Sequence, residues 1–138
     1  MRILAIDPGE KRIGIAISDV TGTIASPLTV VEHISRPIDA ATIAELALQH
    51  EVGIIVVGKS LDEEGRPTPQ SRRSDRLAEA IRQQSEIKLV TWDESYSTQT
   101  ARQARLKMGV KQEKRRGHLD ELAATVILQS YLDDAGKR

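Results

Sequence analysis

The run VGIIVVG at 52–58 carries no polar side chain, and it limits the possible folds more than any other stretch of this chain. It has the length of a strand, and an uninterrupted apolar strand must be covered on both faces. Covering layers are legible on either side of it. Residues 38–50 show helical spacing through Ile43, Leu46, Ala47 and His50, with Asp39 in the first turn, where the helix dipole favours a carboxylate. Residues 71–84 form a second amphipathic helix using Leu77, Ala80 and Ile81. A strand set between two helices in this way suggests a parallel strand in a layered α/β protein.

Three strand-like segments precede this unit. Residues 2–7 end in Asp7-Pro8-Gly9, a turn. IGIAIS at 13–18 alternates Ile13, Ile15 and Ile17 with Gly14, Ala16 and Ser18, so one face is bulky and the other lets something approach closely. A third strand is predicted around 27–33, after Thr21-Gly22-Thr23. Beyond the second helix, IKLVTW at 87–92 reads as a fifth strand ending in Asp93-Glu94. Ser97-Thr98 can cap a helix running to Gly109, and the basic loop VKQEKRRG leads into a last helix at 118–132. The expected architecture is therefore α/β: a mixed five-stranded sheet with three leading antiparallel strands, flanked by helices. At 138 residues, the whole of 1–138 is expected to be one domain.

Composition removes several classes of chemistry. There is no cysteine, hence no disulfide framework, no thiolate nucleophile and no cysteine-based zinc site. No segment approaches the roughly 20 apolar residues of a membrane span, and the chain reads as cytosolic. Lys plus Arg and Asp plus Glu are equal at 20 each, so a nucleic-acid partner has to be argued from a local basic patch. Aromatic residues make up only 2%, which argues against a base-stacking platform.

Three acidic positions stand out. Asp7 ends an apolar strand at the border of core and solvent, where it either hydrogen-bonds the Pro8-Gly9 turn or holds a ligand. Asp93-Glu94 ends strand five, where open α/β sheets place ligands. Alternation lets at most one of the two face a given side, and a solvated corner is the competing reading. In the last helix, Glu121, Thr125, Gln129 and Asp133 make a polar stripe. Asp120 lies nearly opposite, in line with Ala123, Ala124, Ile127 and Tyr131, so it is expected to point toward the sheet. Three such acids suit a cation site, and oxygen-only ligands select Mg²⁺ or Mn²⁺ over zinc. With phosphate oxygens completing the shell, such ions support phosphodiester cleavage.

The chain resembles the YqgF/RuvX family, described both as pre-16S rRNA nucleases and as Holliday junction resolvases. The likeness rests on AIDPGEKRIGIAISD at 5–19, IIVVG at 54–58, WDESYST at 92–98 and HLDELAATVILQSYL at 118–132. It implies an RNase H-like fold of the RuvC type and a catalytic, metal-binding triad falling on Asp7, Glu94 and Asp120. It also implies a Mg²⁺- or Mn²⁺-dependent nuclease, acting in 5′-end maturation of pre-16S rRNA or on branched DNA. Two departures from the family pattern are visible. Ser95 and Tyr96 replace the Arg and Leu of DERLST, and Gly58-Lys59-Ser60-Leu61 stands where GLPL is usual.

Lys111, Lys114, Arg115 and Arg116 crowd the loop before Asp120 and are expected to hold the nucleic-acid backbone. Arg72, Arg73 and Arg76 on the second helix are weaker candidates, partly offset by Asp75 and Glu79. Two rival classes remain. A phosphate-loop ATP binder would share the Asp7-Pro8-Gly9 turn but would need a second copy of the fold, and 138 residues hold only one. A non-catalytic RNA-binding or ribosome-assembly factor is favoured by Ser95 and opposed by retention of three acids facing phosphates.

Overall fold

Every apolar run predicted as a strand pairs into a single mixed sheet of five strands, in the order β3-β2-β1-β4-β5. The computed structural model describes residues 1–94 and 119–136, with the side chains of 119–121 outside the description. Its elements are β1 (Arg2–Pro8), β2 (Arg12–Ser18), β3 (Ala25–Glu32), α1 (Arg36–Gln49), β4 (Val52–Lys59), α2 (Pro69–Gln84), β5 (Lys88–Asp93) and α3 (Leu119–Gly136). The helix expected from Ser97 to Gly109 and the basic loop after it lie outside the described residues. β1, β2 and β3 are antiparallel neighbours, whereas β4 runs parallel to both β1 and β5.

Period-2 alternation splits the core into two layers. Leu4, Ile6, Ile13, Ile15, Ile55 and Val57 face α1 and α2, where they pack on Ile43, Ala47, Leu77 and Ile81. Ile3, Ala5, Ala16 and Val56 face the other way, onto Ala124, Ile127, Leu128 and Leu132 of α3. The small face of β2 thus has its visitor: α3 of the same chain lies across β2, β3 and β1. Leu4, Ile6, Ile15 and Ile55 are fully buried, and truncating any one of them to Ala costs about 2–5 kcal/mol.

Caps set the helix ends, and two helices start earlier than their apolar spacing suggests. Ser35 caps α1, its hydroxyl accepting from the Ile38 N–H at 3.4 Å, with a proline in the first turn. Thr68 caps α2 in a reciprocal box: its Oγ1 accepts from the Ser71 N–H at 3.0 Å, and the Ser71 Oγ accepts from the Thr68 N–H at 2.8 Å. Between β2 and β3, Asp19 closes the turn. It accepts from the Ile24 N–H at 2.9 Å, from the Thr21 hydroxyl and from the Thr23 N–H at 2.8 Å, and these bonds hold its carboxyl well below the usual carboxylate range.

Candidate active site

Register brings the first and second acids to the same edge of the sheet. Asp7 is the penultimate residue of β1 and pairs with Gly14 of β2. On its other side the β1–β4 ladder ends at Ile6 opposite Val57, so one further step sets Asp7 beside Gly58. Gly58 in turn is level with Trp92 of β5. Asp7 therefore stands in a row between two glycines, neither of which sets a side chain of its own beside it. It belongs to the alternation set of Ile3 and Ala5, the face covered by α3.

Glu94 follows β5 and turns back over the end of β4. A Cβ added to Gly58 would lie 3.0 Å from Glu94 Oε1, 3.4 Å from its Cγ and 2.7 Å from Ile127 Cδ1. Gly58 is thus the close-approach position that lets the Glu94 carboxylate and α3 sit over β4. Glu94 shares the face of Val90 and Trp92, as Asp7 shares that of Ala5, so both carboxylates lie on the α3 side. Trp92 is fixed there by an edge-on contact with Tyr131, centroids 5.5 Å apart, and by donating to Ser130 Oγ at 3.2 Å. Asp93 pairs in register with Lys59 and belongs to the opposite alternation set.

The loop after β4 orients Glu94. The Ser60 hydroxyl donates to Glu94 Oε2 at 2.6 Å, and the Ser60 N–H donates to Gln70 Oε1 at 2.6 Å. The Thr68 hydroxyl donates to the Ser60 carbonyl at 2.5 Å. The cap of α2 is therefore wired through Ser60 to the acid. Nothing in the chain's pattern of residue types marked Ser60 or Gly58 for these roles; both follow from the β4–β5 register.

The backbone of Asp120 lies in the first turn of α3, two turns before Ile127 and about 10 Å from it along the axis. α3 runs from the carboxyl ends of the strands, where Ile127 meets Gly58, toward their amino ends, where Leu132 shares the cluster of Ile3. Its N-terminus thus points to the edge that holds Asp7 and Glu94. The Asp120 side chain lies outside the described residues, as do Lys111, Lys114, Arg115 and Arg116. Among the described residues no three acids or histidines converge on one point.

The donor chemistry of the described pair fits a hard divalent cation, because both side chains offer only oxygen. Their strands flank β4 with neighbour spacings of about 4.8 Å, and Glu94 leans inward over Gly58. Oxygens sharing one Mg²⁺ with bonds of about 2.1 Å stand roughly 3–4 Å apart, within reach of two carboxylates arranged this way.

The mixed five-stranded order with antiparallel leading strands defines a fold of the RuvC type. The structure matches Thermus thermophilus RuvC, solved with a Holliday junction substrate, at a TM-score of 0.63 and 17% identity, covering 98% of this chain and 96% of that one. Fowlpox virus resolvase with Holliday junction DNA matches at 0.58 and 14% identity, covering 98% and 99%. More particularly, the model of the RuvX family, described as a Holliday junction resolvase, matches residues 1–134, and the chain belongs to that family. It is 38% identical over 134 residues to a Thermoanaerobacter pseudethanolicus protein named "Putative pre-16S rRNA nuclease", with 96% of each chain covered. A Syntrophus aciditrophicus protein of the same name is 41% identical over 133 residues, covering 96% of this chain and 89% of the relative.

Proposed function

We propose that the protein is a divalent-metal-dependent nuclease of the cytoplasm that cleaves phosphodiester bonds in the 5′-end maturation of pre-16S rRNA. One observation carries the reading: Asp7 and Glu94 share the α3 face at one strand edge, on either side of Gly58. Family membership and relatives named for pre-16S rRNA support the substrate.

In this reading Asp7, Glu94 and Asp120 together hold Mg²⁺ or Mn²⁺. When bound, the ion polarises the phosphate and makes a water nucleophilic at neutral pH. The chain's own residues supply position. Asp7 is positioned by pairing with Gly14 of β2, one step beyond the end of the β1–β4 ladder, and Ser60 turns the Glu94 carboxylate by donating to Oε2. Lys111, Lys114, Arg115 and Arg116 hold the backbone of the strand to be cut.

A cleavage panel with Mn²⁺ tests the proposal on precursor rRNA ends and four-way DNA junctions. Wild type should cut the rRNA ends. Asp7→Asn should lose at least about 10³-fold of that activity with an unchanged circular dichroism spectrum; undiminished cutting by the variant would remove Asp7 from the site. Exclusive cutting of junctions would assign the enzyme to branched DNA, the reading favoured by the family description. Binding of rRNA with no cutting of either substrate would leave a non-catalytic assembly factor.

A further inference from the structure

On the far side of the sheet from Asp7 and Glu94, the Pro8-Gly9 turn borders a cavity of about 710 Å³. Its walls come mainly from the β1–β2 turn, the residues leading into α1 and the first half of α2. Arg36 enters from α1, and Arg72, Arg73 and Arg76 enter from one side of α2. Four guanidinium groups thus line one opening, and the amino ends of both helices add positive potential to the same place.

The lining acids do not cancel this charge. Asp39 is 2% exposed, and both its oxygens are engaged: Oδ1 accepts from the Ile34 N–H at 3.0 Å, and Oδ2 meets His33 Nδ1 at 2.5 Å. Glu10 is an exposed side chain that pairs with Arg73 at 3.4 Å, a contact worth little in water. The buried Asp39 also holds the ring of the partly exposed His33, which lines the cavity. A planar guanidinium fork is the group best matched to phosphate oxygens, and these four sit beyond the end of the strand that carries Asp7.

We propose that this cavity is a second phosphate subsite, which takes a backbone phosphodiester of the nucleic-acid strand flanking the one held at Asp7 and Glu94. The strand would cross the carboxyl edge of the sheet over the Pro8-Gly9 turn. Gly9 lets the turn close tightly there: its N–H donates to the Arg12 carbonyl at 2.9 Å, an oxygen from which a Cβ on residue 9 would lie only 2.3 Å. The proposal rests on the nuclease reading for its ligand and on the cavity for its place.

The test measures binding apart from cutting. Fluorescence anisotropy with a labelled precursor-rRNA end, in EDTA, would compare wild type with the double variant Arg72→Gln/Arg76→Gln. Arg72 and Arg76 are exposed, so their replacement should leave circular dichroism unchanged. The double variant should bind at least about tenfold more weakly, with the slope of log affinity against log salt lower by about 1–2. An unchanged affinity and slope in the double variant overturns the subsite whether or not wild type cleaves. Weaker binding by the double variant, alongside a wild type that cuts nothing, sustains the subsite and removes only the cleavage reading. Inorganic phosphate and a nucleoside bisphosphate complete the panel, followed through the His33 ring resonances. If they saturate the cavity while the double variant keeps full RNA affinity, the ligand is a free phosphate compound and the strand proposal fails.

Discussion

Gly58 controls how closely β4 approaches Glu94, and Ser60 controls where that carboxylate points. Gly58→Ala would drive a methyl group to 2.7 Å from Ile127 Cδ1 and 3.0 Å from Glu94 Oε1. One of the two must move. Cleavage is expected to fall about 10²-fold, against a stability loss of only about 1–3 kcal/mol, measured by single-turnover cutting beside thermal unfolding. Ser60→Ala removes the 2.6 Å hydrogen bond to Oε2 while leaving the acid in place. The Mn²⁺ concentration for half-maximal cutting should rise about 10–100-fold, and Ser60→Thr should restore it. Asp19 plays a different part, in the fold. Its carboxyl is depressed when folded, so its contribution is complete above the ordinary aspartate pKa of about 3.9 and lost as pH falls below it. Asp19→Ala should therefore lower the urea midpoint at pH 7, and the gap to wild type should narrow below about pH 4.

At the scale of elements, α2 depends on its first turn. Thr68 caps the helix and also holds the Ser60 carbonyl. Thr68→Ala should cost about 1 kcal/mol of stability and also weaken Mn²⁺ use in the direction of Ser60→Ala, a pairing that a purely structural cap would not produce. Element by element, hydrophobic period carried the prediction well. The alternation of β2 and the apolar run of β4 place their residues on the faces observed, and of the α3 residues expected toward the sheet, Ala124, Ile127 and Tyr131 lie there. Period is blind to helix starts, because caps are polar and sit among loop residues. The polar stretch 59–70 read as loop up to Ser71, yet Thr68 and Pro69 already open α2. Gln129 shows the same blindness in reverse. It falls in the polar stripe of α3, but the stripe meets the edge of the sheet, where Gln129 accepts from the Ala25 N–H at 3.0 Å and donates to the Thr23 carbonyl at 3.1 Å. Of the site, the acids at strand ends were legible as residue types. Their shared face and the roles of Gly58 and Ser60 depend on which residue stands beside which across three strands, and a linear pattern does not hold that information.

For the molecule as a whole, the proposed metal site would couple ion binding to folding stability. In the proposed enzyme, Mg²⁺ or Mn²⁺ at about a hundred times its dissociation constant should stabilise the native state by about 2.7 kcal/mol. Differential scanning calorimetry should register that as a higher Tm, lost with EDTA and absent in Asp7→Asn. The architecture also orders events in time. α3 covers Ile3, Ala5, Ala16 and Val56, residues made long before it. A ribosome releasing this polypeptide therefore exposes a bare apolar sheet until the final helix emerges to shelter it. The same helix brings Asp120, so an unfinished copy would have neither its roof nor its third acid.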